Sequence, residues 1–96
     1  MNRDDALDLL RTHKPMLAER FGVTELALFG SFARGQATDR SDIDVLVEFG
    51  ASPDWKTYFG AVSYLEDILG RPVDMATISE VRKEIRPFVE RDAVHV

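Results

Sequence analysis

The chain has 96 residues, 45% of them hydrophobic, with 17 acidic side chains against 12 basic ones and a formal net charge of -5. That length predicts one core and one domain over residues 1–96, burying roughly 60 to 70% of the extended-chain surface, and the acidic balance argues against a broad footprint on a phosphate backbone, so no direct nucleic-acid binding is expected. The lack of cysteine excludes disulfides and thiolate chemistry, no apolar run approaches the roughly 20 residues of a membrane span, and with no secretion signal visible the expected compartment is the cytoplasm.

Near the start, Asn2 is placed to cap a helix whose first turn carries Asp4 and Asp5, with Ala6, Leu7 and Leu10 as its buried stripe. Pro15 suits a first turn better than a helix interior, so the pattern predicts a break near Thr12 and a second helix from Lys14 to Phe21, stopped by Gly22. Met16, Leu17 and Phe21 are expected to face the core, and His13, at the break, reads as a surface residue without chemistry. A strand from Glu25 to Phe29 follows, then Gly30-Ser31, a helical turn at Phe32-Ala33-Arg34 and a loop of small and polar residues from Gly35 to Ser41. The next strand, Ile43 to Phe49, leads through Gly50-Ala51-Ser52-Pro53 into a helix that runs to Leu69, capped by Ser52 or Asp54 and ended by Gly70. Trp55, Phe59, Val62, Leu65 and Leu69 recur at helical spacing and read as a core stripe, flanked by Tyr58 and Tyr64 without a visible role.

After Arg71-Pro72, Val73 to Thr77 reads as a short third strand carrying one acid, Asp74. The remainder, Ser79 to Val96, predicts one or two helices with Val81, Ile85, Phe88 and Val89 on one face, an irregularity at Pro87 and a short apolar tail. Arg34 and Arg40 gather near the Gly-Ser turn, whereas Arg82, Lys83, Arg86 and Arg91 read as a solvated helix face. Together these elements predict an α/β (α+β) fold, a small mixed sheet with helices packed largely on one face.

The chemistry concentrates between Leu26 and Phe49. Side chains alternate along a strand, so Asp42 and Asp44 point the same way about 6.7 Å apart, while Ile43, Val45 and Val47 share the opposite, core-facing side. Two carboxylates at that spacing repel by roughly 2.5 kcal/mol at an effective dielectric of about 20. A hard divalent cation compensates directly and keeps positions open for phosphate oxygens; the bland alternative is an edge strand with solvated acids. Gly30 ends the preceding strand where a side chain would block close approach, and the turn after it offers free N–H groups to phosphate. The Ser31 hydroxyl can donate to a phosphoryl oxygen, and Arg34 can offer its forked guanidinium to phosphate or to a neighbouring carboxylate.

Gly30-Ser31, ten further residues, then Asp42 and Asp44 make Gly-Ser-x10-Asp-x-Asp. This resembles the signature of polymerase beta-like nucleotidyltransferases, and GSFARG with SDIDVLVEF is similar to the minimal nucleotidyltransferase (MNT) family, whose members are commonly paired with HEPN-domain proteins. LGRPVDMAT resembles the family's third-carboxylate strand, which implies Asp74 as the third acid; ERDAVHV resembles its usual ending, with His95 in place of an aromatic and so expected to pack. The resemblance implies that Asp42 and Asp44 hold Mg²⁺ on a nucleoside triphosphate and that Gly30 and Ser31 seat its phosphates. It implies too that Asp74 binds a second metal or takes the acceptor's proton, and that Arg34 neutralises charge unless it pairs with an acid. The implied activity is transfer of AMP from ATP to a tyrosine of a partner HEPN toxin by an MNT antitoxin. Two alternatives stay open at this point: an antitoxin that masks its partner without catalysis, and a catalytic subunit that modifies a small molecule.

Overall fold

Asn2 opens the first helix with a reciprocal cap: its Oδ1 accepts from the Asp5 N–H at 2.9 Å, and Asp5 Oδ2 accepts from the Asn2 N–H at 3.1 Å. In the computed structural model, which describes residues 1–38, 40–80, 83–84 and 86–96 and not the side chains of Phe88 and Glu90, that helix, α1, runs unbroken over Arg3–Phe21. The expected break near Thr12 does not occur. Pro15 lies on the exposed side, so the carbonyl it leaves without an N–H partner, that of Arg11, is on a face open to water. Leu10 and Leu17, both fully buried, hold the two halves against one core. Met16 points outward and is 41% exposed, contrary to expectation, because Leu17 takes the inward position.

Gly22 ends α1 in the left-handed conformation at φ 74, and strand β1, Val23–Phe29, begins two residues earlier than the sequence suggests. A short helix α2, Gly30–Ala33, and the loop beyond it lead to β2, Ile43–Phe49. Asp54, and not Ser52, caps α3, Trp55–Leu69, accepting from the Thr57 N–H at 2.7 Å. After Gly70 come β3, Val73–Thr77, a 3-10 turn at Ile78–Glu80, helix α4, Arg86–Asp92, and β4, Val94–His95. The tail is therefore a strand. The predicted apolar face at Val81, Ile85 and Phe88, and the cation Arg82, lie outside what is described.

The sheet order is β3-β2-β1-β4, with β1 antiparallel to both β2 and β4 and β2 parallel to β3. Helices α1 and α3 pack on each other and on the sheet, closing a core of Leu10, Leu17, Leu26, Leu28, Ile43, Val45, Val47 and Leu65. Each such side chain contributes about 1.5 to 3 kcal/mol by leaving water. The alternation of β2 sends Ile43, Val45 and Val47 into that core, and Asp44, Leu46 and Glu48 to the second face.

The α3 stripe is only partly as expected. Leu65 and Leu69 are buried, but Trp55 and Phe59 are 70% and 60% exposed, because the inward side of α3 runs through Tyr58, Ala61, Leu65 and Leu69 and leaves those two aromatics turned away from the core. Both tyrosines have work: Tyr58 Oη donates to the Met75 carbonyl at 2.8 Å, and Tyr64 Oη shares a 2.8 Å hydrogen bond with Nδ1 of a half-buried His13. At the other end, His95 is exposed opposite Ala27, and Val94 and Val96 do the packing assigned to it. Arg86 is half-buried and donates to the Ile78 carbonyl, so it is not part of a solvated face.

Candidate active site

The end of β1 and the start of β2 lie side by side, with Phe29 paired to Asp44, and the chain turns away from the sheet immediately afterwards at Gly30. Gly30 has φ 71, a left-handed geometry that glycine adopts without strain. A Cβ at that position would run into the Asp44 carboxylate, so the missing side chain is what makes room for the acid itself. Ser31 follows as the second residue of α2, half-buried, and its carbonyl accepts from the Gln36 N–H at 2.8 Å, which folds the loop back over the turn.

The parallel register supplies the third acid. Ile43 N–H donates to the Pro72 carbonyl at 3.0 Å, β2 and β3 then run in step, and Asp44 stands opposite Asp74 on strands about 4.8 Å apart. Asp42, two residues before Asp44 on the same side, is exposed, as is Asp74, whereas Asp44 is half-buried. Burial pushes the Asp44 carboxyl above its ordinary range, the charges of Asp74 and then Asp42 push it further, and only Arg34 opposes them. All four predicted charged residues thus bear on one point. Among the described residues no group of three His, Cys, Asp or Glu side chains forms a ready-made metal cage. An open set of this kind suits Mg²⁺, which is usually held by one or two carboxylates with the rest of its shell from water and substrate phosphates. The donor chemistry of the carboxylates fits that ion.

Arg34, just beyond α2, is divided between roles. Its Nη1 lies 3.5 Å from Asp92 Oδ2 on α4, and its Nε donates to Gln36 Oε1 at 3.2 Å. Arg40 is exposed in the loop, where its N–H donates to Thr38 Oγ1. Sequence reasoning missed Arg71: its guanidinium donates to the Thr38 and Ser41 carbonyls at 3.1 and 3.3 Å and lies 5.3 Å from the Phe32 ring. It straps the loop to α2 and so helps set where Asp42 begins. The only signal was its place before the third strand, in Leu-Gly-Arg.

A mixed four-stranded sheet with a glycine turn against clustered carboxylates defines the nucleotide-transferring class of α+β enzymes. The chain matches the nucleotidyltransferase domain family over residues 10–95. It is 41% identical over 90 residues to a candidate protein adenylyltransferase of Methanocaldococcus jannaschii, spanning 93% of this chain and 92% of that one. To the protein adenylyltransferase MntA of Thermococcus cleftensis it is 41% identical over 88 residues, 92% of this chain and 89% of that one. A solved structure described as a candidate minimal nucleotidyltransferase superposes with a TM-score of 0.82 at 31% identity, covering 98% of this chain and 95% of the other. The fold alone is shared, at 20% identity and a TM-score of 0.59 over 98% of this chain and 67% of the other, with a complex of an MNT antitoxin and a tri-AMPylated HEPN toxin of Shewanella oneidensis. This chain belongs to the nucleotidyltransferase domain family and has the minimal nucleotidyltransferase fold.

Proposed function

We propose that this chain transfers AMP from ATP to a tyrosine hydroxyl of a HEPN toxin, with Mg²⁺ as cofactor, and thereby acts as that toxin's antitoxin. The observation that carries the reading is the convergence of Asp42, Asp74 and Arg34 on a half-buried Asp44, whose carboxylate packs directly against a glycine that has no side chain to displace it. Relatives at 41% identity named as protein adenylyltransferases support it, as does the fold shared with an antitoxin bound to an AMPylated HEPN toxin.

In this reading Asp42 and Asp44 would hold the Mg²⁺, joined by Asp74 if that residue is a ligand. When bound, the cation supplies charge neutralisation on the triphosphate. The Ser31 hydroxyl donates to a terminal phosphate oxygen, and Gly30 lets the phosphates approach the backbone. The tyrosine oxygen forms a bond to the α-phosphorus, the bond from that phosphorus to the pyrophosphate oxygen breaks, and the phenolic proton passes to a carboxylate. Asp74, exposed beside Asp44, is the acid within reach of an incoming partner. Arg34 neutralises charge on the phosphoryl oxygens, for which its long pair to Asp92 must open.

The test is the intact mass of the HEPN partner after incubation with ATP and Mg²⁺. One or more adenylyl additions are expected, lost with Asp44→Asn and with the acceptor tyrosine changed to phenylalanine. A partner neutralised at unchanged mass, and equally well by Asp44→Asn, would replace this reading with a binding antitoxin.

A further inference from the structure

The far end of the sheet carries a second concave surface. Four residues along β2 from Asp44, about 13 Å away, Glu48 begins the wall of a cleft of about 740 Å³ formed by the link from β2 to α3, the first turns of α3 and the 3-10 turn. Trp55 and Phe59, one helical turn apart, stand on it 70% and 60% exposed. Single exposed aromatics are ordinary, but a tryptophan and a phenylalanine flanking one cleft are the residues that anchor protein interfaces.

The charged side chains among the described residues that line the cleft are all acidic. Glu48, Asp54 and Glu80 line it, and Glu25 stands opposite Glu48 in the sheet register, a like-charge pair that weakens strand pairing. Among the described residues, none of Glu25, Glu48 and Glu80 is in an ion pair. Lys56 lies 5.8 Å from the Trp55 ring. Repulsion of this kind is relieved by a basic partner, and rim charges of one sign steer such a partner into place.

We propose that this aromatic cleft docks the acceptor protein through a segment that pairs apolar side chains with lysine or arginine. The partner's identity rests on the transfer reading above; the surface itself does not. Docking there leaves the carboxylate end of the sheet free for the nucleotide, and a partner seated on the cleft reaches the acids across about 13 Å, the span of four extended residues.

Trp55 is the sole tryptophan, so its emission reports directly on the cleft. The experiment titrates the chain with the HEPN-domain acceptor of the proposed transfer, following emission and binding by calorimetry. A blue shift on binding is expected. Trp55→Ala with Phe59→Ala should weaken binding about 30-fold or more, as loss of buried aromatic anchors does, while Mg²⁺-dependent stabilisation by ATP is kept. Glu48→Lys with Glu80→Lys should weaken binding most at low salt. Undiminished binding by the aromatic double variant, with no emission change in the parent chain, overturns the proposal. So does self-association of the isolated chain that this variant abolishes, since the occupant is then a second copy. A blue shift with a partner whose mass never changes upholds the docking surface and overturns only the transfer reading.

Discussion

Asp44 is an acid held protonated to a higher pH by the folded chain than by the unfolded one, because burial, Asp74 and Asp42 outweigh Arg34. The sign follows: the stability tied to this group is full below its ordinary value of 3.8 and is lost as pH rises through the raised folded value. Asp44→Asn should therefore abolish transfer yet melt at the same or a higher temperature than the parent at neutral pH, with the gap closing toward acid. A lower melting temperature at neutral pH would mark the residue as structural. Gly30 and Gly22 form a natural pair of controls, with φ of 71 and 74. An alanine costs roughly 1 to 2 kcal/mol at either position from backbone geometry alone. At Gly22 it meets open space, whereas at Gly30 it strikes the Asp44 carboxylate. Gly30→Ala should thus lose transfer and the larger share of urea midpoint, and Gly22→Ala should keep transfer.

Among the elements, α1 departs most from its sequence pattern. Pro15 removes a backbone donor in the fourth turn and is expected to end a helix, yet the helix continues because Leu10 and Leu17 are buried on the same side of it. Packing outweighs local propensity here. Replacing proline by alanine at an interior helical site is worth up to about 3 kcal/mol, less about 0.4 to 1 kcal/mol for the freer unfolded chain. Pro15→Ala should accordingly raise the urea midpoint by the equivalent of about 2 kcal/mol with transfer unchanged. No gain would mean that the helix already relieves the proline by a local distortion. In α3 the periodicity was legible and its orientation was not: Ala61, Leu65 and Leu69 face inward, while Trp55 and Phe59 lie on the side turned from the core. Spacing along a helix gives the stripe but not which side of it meets the core.

For the whole molecule, the proposed site requires β1, β2, β3 and α2 to be in place together, so ligand binding should stabilise the entire fold. ATP should raise the melting temperature appreciably with Mg²⁺ or Mn²⁺ present and little in excess chelator; equal stabilisation in chelator would sink the metal reading. Ser31→Ala should reduce the effect by about 0.5 to 1.5 kcal/mol, the worth of one neutral hydrogen bond. Asp74→Asn separates two roles: loss of both stabilisation and transfer makes it a ligand, and loss of transfer alone makes it the base.

Much of this arrangement follows from the sequence by itself. The succession of β1, β2, α3 and β3, the cap at Asn2, the stops at Gly22 and Gly70, and Asp42 and Asp44 on one side of a strand all depend on interactions within about four residues, which periodicity and turn chemistry record. Four features came only from the tertiary structure. They are the step-for-step register that stands Asp74 opposite Asp44, the pairing of β4 with β1, the strap from Arg71 to the loop at Thr38 and Ser41 and the exposure of Trp55 and Phe59. Each joins segments far apart in the chain or depends on which side of a helix the core covers. A one-residue slip in register would turn every side chain of a strand to the other face, and what prevents it is the burial of Ile43, Val45 and Val47 in the common core.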